Sequence, residues 1–210
     1  MDNEILLQEP WLRWAIEIQS LAQCGLTYTK DPYDAERYKQ LRNISSEMLS
    51  YKTGIPTDKV KEIFCSESGY QTPKLDTRAA VFQEGRILLV HENNGTWSLP
   101  GGWVDVLESV GSNTVKEVRE ESGLEVKPVK LIAVQDRNKH NTPPYAYGVC
   151  KVFVLCDTLG GRFTKNIETT ETGYFSMDDL PLLAEEKCTR AQIRMCFDAF
   201  ESPRWETLFD

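Results

Sequence analysis

The 210-residue sequence predicts a mixed α/β (α+β) fold, in which a small all-α domain precedes a sheet covered by helices. Two observations lead to this prediction. Apolar residues recur at helical spacing over about the first 65 residues, and beyond residue 75 the pattern changes to short apolar runs bounded by turn residues. Two further helical segments interrupt these strand-like runs, which is typical of a sheet with helices packed on its faces.

A polar segment separates the two patterns. Residues 66–75 contain both Gly and Pro and few apolar side chains, as linkers commonly do. We therefore predict a helical N-terminal domain over residues 1–68, a linker over residues 69–75 and a second domain over residues 76–210.

Three helices are predicted in the N-terminal domain. The first has apolar residues at spacings of three and four between Trp11 and Ala22, and Gly25 is expected to be its C-cap. Asp31 is the expected N-cap of a second helix, which should end at Gly54. A third and shorter helix is expected after Pro56.

The second domain is expected to begin with strands and then to alternate strands with helices. Asn94-Gly95 is a strong hairpin signal between two of these runs. Ser109 is the expected N-cap of the first helix of this domain, and Gly123 is expected to end it. The predicted elements are strands at 77–82, 86–91, 129–135 and 148–157 and helices at 109–122 and 189–200.

Composition argues against several classes of protein. The chain has 32 acidic and 24 basic residues, a formal charge of −8, so extended binding to nucleic acid or to an anionic membrane is not expected. No apolar run approaches the ~20 residues that span a bilayer. The N-terminus lacks the pattern of a signal peptide, so a cytoplasmic location is expected. The six cysteines form no Cys-x-x-Cys pair and are expected to be buried thiols.

Three carboxylates are concentrated on one predicted helix. Glu117, Glu120 and Glu121 fall within about a 100° arc of one face. Like charges at these spacings cost about 0.2–0.5 kcal/mol per pair, and carboxylates in the last turn also oppose the helix dipole. A solvated acidic face is one interpretation. The other is a site for a divalent cation, which would reverse both penalties, and carboxylate oxygens suit Mg²⁺ or Mn²⁺.

The segment around these glutamates closely resembles the Nudix box. That family pattern is G-x5-E-x7-R-E-U-x-E-E-x-G-U, with U aliphatic, and the chain matches it from Gly102 through Glu108 to Leu124. The single departure is Lys116 in place of the first Arg. The preceding segment 97–102 is also typical of the family, and the resemblance covers about residues 76–200. It implies the Nudix α/β/α sandwich with a mixed sheet, in which the box forms a loop, a helix and a loop.

This resemblance also implies roles for the box residues. Glu117, Glu120 and Glu121 match the metal ligands of the family, and the main-chain carbonyl of Gly101 is a common additional ligand. The bound ions are expected to be Mg²⁺ or Mn²⁺. Family members hydrolyse a nucleoside diphosphate linked to another moiety, so the implied products are a nucleoside monophosphate and a phosphorylated second moiety.

Four further box residues are expected to support the site. They are Gly102, Glu108, Lys116 and Gly123. In the family, the glutamate equivalent to Glu108 usually pairs with the box arginine and holds the loop in place. Lys116 keeps the positive charge but lacks the planar fork of arginine, so the substitution is expected to affect the rigidity of the loop more than the chemistry.

A carboxylate must take the proton of the attacking water. Glu120 or Glu121 could do this within the box. In other branches of the family the base lies on a later loop, where Glu171 and Glu168 are the candidates here, and Glu171 is favoured.

The N-terminal segment resembles the Nudix N-terminal domain of a bacterial, mostly Gram-positive branch. Members of that branch are described as ADP-ribose or CDP-choline pyrophosphatases and are usually homodimers. The resemblance therefore implies a small-molecule nucleotide substrate and a homodimer, in which the added helices form the interface or part of the pocket. It rests on the short matches Trp14-Ala15, 19–23, 25–28 and 33–38.

The segment 136–147 contains side chains suited to a nucleotide. Lys139 and His140 are candidates to meet a phosphate, and Tyr145 or Tyr147 could stack on a base. An ordinary surface loop is the alternative. Arg78, early in the first strand, could reach a phosphate or could form a structural salt bridge.

Three other functions share some of these features. Enzymes that hydrolyse damaged nucleoside triphosphates and enzymes that process RNA ends both contain the box. A non-catalytic nucleotide sensor is a different class, which the intact carboxylates disfavour. No motif in the sequence distinguishes adenine from cytosine, so the sequence favours neither ADP-ribose nor CDP-choline as the substrate.

Overall fold

The computed structural model describes residues 10–163 and 169–210. The chain divides into two compact units. The first is the chain up to Pro73 together with Pro144–Gly148, and the second is Lys74–Pro143 with Val149–Asp210. The short segment 144–148 thus groups with the first unit, which a single boundary at 69–75 does not anticipate. No helix in the described ranges is long and apolar enough to cross a membrane.

Over residues 10–73, the first unit consists of the helices α1 (Pro10–Tyr28), α2 (Pro32–Thr53) and α3 (Thr57–Phe64). Asp31 caps α2 as predicted, because its side chain accepts hydrogen bonds from the first backbone amides of the helix. Gly54 ends α2 in the left-handed conformation, with a φ of 73°, which glycine adopts without strain.

The C-cap predicted at Gly25 is wrong, because α1 continues to Tyr28. Gly25 serves a different purpose. A Cβ at this position would lie 2.3 Å from the ring of Tyr38 on α2, so the glycine allows the ring to contact the backbone of α1. Gly25 thus allows two helices to pack closely and does not end α1.

The buried face of α1 is partly polar. Gln19 and Gln23 are buried and share a hydrogen bond of 3.2 Å. Trp14, Leu21 and Tyr28 lie on the opposite side of the helix and are 49%, 68% and 68% exposed. On the buried side, the apolar spacing predicted for α1 is met by Ala15 and Ala22 rather than by Trp14 and Leu21.

The second unit contains ten elements in the described part of the chain. They are β1 (Lys74–Gln83), β2 (Arg86–Glu92), β3 (Trp97–Ser98), α4 (Val110–Ser122), β4 (Leu124–Asp136), α5 (Arg137–His140), β5 (Val149–Gly161), β6 (Thr169–Phe175), α6 (Arg190–Glu201) and β7 (Leu208–Phe209). Within residues 74–163 and 169–210 the strands form a seven-stranded sheet of order β3-β2-β1-β5-β4-β7, and β6 pairs with β2. The β1·β5 and β4·β7 pairs are parallel and the other pairs are antiparallel.

Each face of the sheet has its own apolar core, because successive strand residues point to opposite faces. Ala80 and Phe153 belong to the cluster that includes Phe197 of α6. Val81 and Val154 belong to the cluster that includes Val118 of α4 and its neighbours. Helices therefore cover both faces of a mixed sheet, and the predicted α/β/α sandwich is confirmed.

Two strands were not predicted. β6 is a polar segment with weak alternation that pairs with β2 along most of its length, and β7 is a two-residue strand beside β4. Both depend on partners distant in the sequence, so neither has a strong local signal.

Candidate active site

The Gly101-Gly102 segment lies against β1. The amide of Thr77 donates a 2.9 Å hydrogen bond to the carbonyl of Gly102, and the amide of Ala79 donates a 2.8 Å bond to the carbonyl of Pro100. Gly101 has a φ of 145°, and a Cβ there would lie 1.9 Å from the carbonyl oxygen of Thr77. Only glycine fits this position.

Glu121 is buried against this segment. Its side-chain Oε2 accepts a 2.8 Å hydrogen bond from the amide of Gly101. Burial raises the pKa of Glu121 to about 7, although the positive charge of Arg78 and the Gly101 amide oppose this rise. The charges of Glu117 and Glu92 raise that pKa further. A carboxylate in this environment would be stabilised in its ionised form by an added cation.

Glu117 approaches the same segment. A Cβ on Gly102 would lie 2.8 Å from Oε2 of Glu117, so glycine at this position leaves room for the carboxylate. Burial raises the pKa of Glu117, while contact with Lys116 opposes the rise. The side chain of Glu120 is 53% exposed. The box therefore directs two carboxylates toward the glycines and one toward solvent.

Lys116 lies among these carboxylates. Its Nζ is 2.7 Å from Oδ2 of Asp105, 3.0 Å from Oε1 of Glu117 and 3.9 Å from Oε2 of Glu120. The hydrogen bond to Asp105, followed by that to Glu117, raises the pKa of Lys116 above its ordinary value. Across residues 10–163 and 169–210, no three His, Cys, Asp or Glu side chains are grouped closely enough to hold a metal ion.

The expected pairing of Lys116 with Glu108 is replaced by the pairing with Asp105. The amide of Glu108 donates a 2.9 Å hydrogen bond to the carbonyl of Asp105, so the two residues lie in one tight turn. In this turn the carboxylate of Asp105 is the one that reaches the ammonium.

Both predicted caps of α4 are confirmed. The side chain of Ser109 accepts a 3.1 Å hydrogen bond from the amide of Ser112, and the Ser112 hydroxyl bonds back to the amide of Ser109. Gly123 has a φ of 70°, and a Cβ there would lie 2.3 Å from the carbonyl oxygen of Arg162. These caps fix the start and the end of the helix that carries the glutamates.

Arg78 forms the structural salt bridge that was one of its two predicted roles. It is 6% exposed, and its guanidinium contacts both carboxylate oxygens of Asp76 at 2.9 and 3.2 Å. Lys151 is also buried and lies 3.2 Å from the same carboxylate. Arg78 is therefore held in the interior, where its charge acts on Glu121.

The other candidates for substrate binding belong to two different units of the chain. Lys139 and His140 lie on the short helix α5 rather than on a loop, and Nε2 of His140 contacts Oδ2 of Asp210. Tyr145 belongs to the first unit, where its ring packs against that of Tyr147 with centroids 5.3 Å apart.

Glu171 lies on β6, opposite His91 of β2, and its side chain is exposed. The prediction of a loop at this position was wrong, because the segment pairs with β2. Glu168, the other candidate for the base on this segment, lies outside the described residues.

Sequence reasoning missed one ion pair near Glu121. Oε2 of Glu92 lies 2.6 Å from Nζ of Lys187, and the hydroxyl of Ser98 donates a 2.8 Å hydrogen bond to Oε1 of Glu92. Glu92 and Lys187 are 95 residues apart, so no spacing in the sequence indicates their contact.

Comparison with models of known families covers both parts of the chain. The NUDIX domain model matches residues 72–195. A model described as a UDP-X-like, N-terminal oligomerisation domain matches residues 9–64. The chain belongs to the Nudix family, and the protein is a Nudix hydrolase.

Three similar proteins cover between 66% and 98% of this chain. YjhB of Bacillus subtilis strain 168, which has the provisional name ADP-ribose pyrophosphatase, is 41% identical over 207 residues, which are 98% of this chain and 100% of that protein. The crystal structure of an ADP-ribose pyrophosphatase from Streptococcus suis 89-1591 is 55% identical and covers 66% of this chain and 100% of that one, with a TM-score of 0.63. The crystal structure of a UDP-X diphosphatase is 32% identical and covers 96% of this chain and 98% of that one, also with a TM-score of 0.63.

Proposed function

We propose that this Nudix hydrolase is a metal-dependent pyrophosphohydrolase that cleaves the diphosphate of a nucleoside diphosphate linked to a second moiety. ADP-ribose is the first candidate substrate, because two of the similar proteins are named for it. CDP-choline and UDP-linked compounds are the other members of the same class. The observation that carries the proposal is the approach of Glu117 and Glu121 to the Gly101-Gly102 segment within an almost complete box.

Mg²⁺ or Mn²⁺ would be held by Glu117, Glu120 and Glu121, with the carbonyl of Gly101 as a further ligand. The donors fit such an ion, because all are hard oxygen atoms and the buried Glu121 lies near other carboxylates. When bound, the ion offsets the charge of the diphosphate and lowers the pKa of a bound water. The exposed side chain of Glu120 would complete the set by turning toward the other two.

The chain itself would supply positioning and proton transfer. The Gly101 amide fixes Oε2 of Glu121, which limits the freedom of the carboxylate before any ion binds. Glu171 would accept the proton of the attacking water, because it is an exposed carboxylate outside the set that would hold the metal. Glu120 and Glu121 are the alternatives for that role.

A panel of substrates tests this function. Initial rates would be measured with Mg²⁺ for ADP-ribose, CDP-choline, UDP-glucose, dATP and a 5′-triphosphorylated RNA, with products identified by mass. The expected result is conversion of ADP-ribose to AMP and ribose 5-phosphate at the highest kcat/KM. Preferred cleavage of dATP or of the RNA would reject the substrate class. Tight binding without hydrolysis of any compound would instead indicate a nucleotide sensor.

We further propose that the protein is a homodimer formed through the exposed face of α1. Trp14, Leu21 and Tyr28 recur every seven residues on this face and leave apolar surface exposed. The family model that matches these helices is described as an oligomerisation domain.

The free thiols of the chain also agree with activity in the reducing cytoplasm.

The oligomeric state tests the proposed interface. Sedimentation velocity should give a dimer for the wild type and a monomer for Leu21→Glu, because a buried charge without a partner opposes association. Lys39→Glu, an exposed change on α2, is the control and should remain dimeric. A monomeric wild type would reject the dimer, and a dimeric Leu21→Glu would reject this face.

A further inference from the structure

The ammonium of Lys116 lies close to carboxylates of α4 and to one carboxylate outside this helix. Its ammonium contacts Glu117 and lies near Glu120, two of the three residues that would hold a metal ion. Its shortest contact, at 2.7 Å, is to Asp105 in the loop before α4. One positive charge thus lies beside two of the carboxylates that would hold a divalent cation.

A hydrogen bond to its backbone amide holds Asp105 in place. The amide of Asp105 donates a 3.3 Å hydrogen bond to Oδ1 of Asn113, and this buried asparagine in turn donates a 2.9 Å bond to the hydroxyl of Thr77 on β1. The carboxylate of Asp105 is 63% exposed and therefore lies on the solvent side of the ammonium. Asp105 is therefore an ion-pair partner for Lys116 whose backbone is linked to β1 by hydrogen bonds through Asn113. Its carboxylate faces solvent.

Lysine suits such sharing better than arginine. Its ammonium is a compact charge with three donors on a flexible stem, whereas guanidinium is a planar fork that prefers one bidentate partner. The Lys116 ammonium can therefore release Glu117 and Glu120 without losing Asp105.

We propose that Asp105 is a positioning residue, which holds the Lys116 ammonium and lets it withdraw from Glu117 and Glu120 when a divalent cation binds there. Without a metal, Lys116 reduces the repulsion between the two glutamates. With a metal, the ammonium rests on Asp105. This inference rests on the proposed function, because it takes Glu117 and Glu120 as metal ligands.

A double-mutant cycle on metal affinity tests the inference. Binding of Mn²⁺ alone would be measured by the loss of the free-ion EPR signal in the wild type, Asp105→Asn, Lys116→Met and the double variant. Asp105→Asn should weaken Mn²⁺ binding by about 10-fold, because Lys116 then stays on the glutamates. In the Lys116→Met background the same change should have no effect, because Asp105 acts only through Lys116.

Two matched checks separate this mechanism from general effects. Asp157→Asn removes the negative charge of another exposed aspartate, on β5, and should leave Mn²⁺ affinity unchanged. Thermal unfolding without metal should show that the four proteins of the cycle are folded at the assay temperature.

The possible failures are distinct. Unchanged or tighter Mn²⁺ binding in Asp105→Asn, or an equal loss in both backgrounds, would overturn the role of Asp105 while the proposed metal site stands. A wild type that binds no Mn²⁺ would overturn both the inference and the proposed function.

Discussion

The backbone amide of Gly101 donates a 2.8 Å hydrogen bond to the carboxylate of Glu121, twenty residues further along the chain. This contact joins the two ends of the box, because Gly101 lies in the loop beside β1 and Glu121 lies in the last turn of α4. It also explains how a buried carboxylate is held in one orientation before any ligand arrives. The conformation of Gly101 therefore matters as much to the site as the glutamate itself.

Replacing Gly101 by alanine should destabilise the second unit strongly. The change adds a Cβ at 1.9 Å from the carbonyl oxygen of Thr77 and places a side chain at a φ of 145°. Backbone strain of about 1–3 kcal/mol and overpacking of about 1–3 kcal/mol should both contribute. Urea denaturation measures the loss in free energy of unfolding.

The control for this change is Gly95→Ala, at a φ of 86° in the turn before β3. A Cβ there meets nothing within 4 Å, so only the backbone strain of about 1–2 kcal/mol should remain. Equal losses in the two variants would show that the contact with Thr77 is not tight in solution.

Three of the six cysteines should be unreactive in the folded protein. Burial raises the pKa of Cys188 to about 11 and that of Cys156 to about 12, and it raises the pKa of Cys196 well above its ordinary value. Because the thiolate is the reactive form, Ellman's reagent at pH 8 should titrate at most Cys24, Cys65 and Cys150 before denaturation. All six should react in guanidinium chloride. Rapid reaction of more than three native thiols would contradict the burial of this core.

Stability should depend on pH through Lys151. Burial and the nearby Arg78 lower the pKa of this ammonium from 10.5 to about 8. Between these two values the unfolded chain keeps the proton that the folded chain has lost, so the free energy of unfolding rises with pH in this window. Below pH 8 both states are protonated, and the cost of burying the charge is constant.

Lys151→Met tests this effect, because the variant lacks this ionisable side chain. The difference in free energy of unfolding, wild type minus variant, should increase by about 2 kcal/mol between pH 7.5 and pH 10. Urea titrations at the two pH values give this difference. If it does not change with pH, Lys151 keeps its ordinary pKa in the folded protein.

Glu171→Gln should separate proton transfer from metal binding. If Glu171 accepts the proton of the attacking water, kcat should fall by about 100-fold or more while Mn²⁺ affinity stays at the wild-type value. Glu125→Gln, another exposed glutamate on a strand, is the control and should keep its activity. Wild-type turnover in Glu171→Gln would assign the base to the box glutamates instead.

The sequence predicted correctly those features that depend mainly on residues close together in the chain. Ser109 and Gly123 are predicted correctly as caps of α4, because a cap depends on neighbours within one turn of the chain. The position of Glu121 beside Gly101 followed only from the family resemblance. It depends on how a loop and a helix pack against β1.

Two of the errors came from contacts between separate secondary-structure elements, and a third came from the shape of one turn. Gly25 was predicted to be a C-cap, but glycine also occurs where two helices pack closely, and this is its role here. The strand β6 was missed because pairing with β2 stabilises it more than its own apolar residues do. The pairing of Lys116 with Asp105 instead of Glu108 depends on the shape of one turn, which the family pattern does not specify.

The measurement that tests the central claim most directly is the rate of ADP-ribose hydrolysis by Glu121→Gln in the presence of Mg²⁺. Glutamine keeps the size of the side chain and an oxygen that can accept the Gly101 hydrogen bond, so the fold and the melting temperature should be retained. The variant lacks the Glu121 charge that would hold a divalent cation, and kcat should fall by at least about 100-fold relative to the wild type and to Glu125→Gln. Near-wild-type turnover in a folded Glu121→Gln would contradict the assignment of the α4 carboxylates as the catalytic metal site.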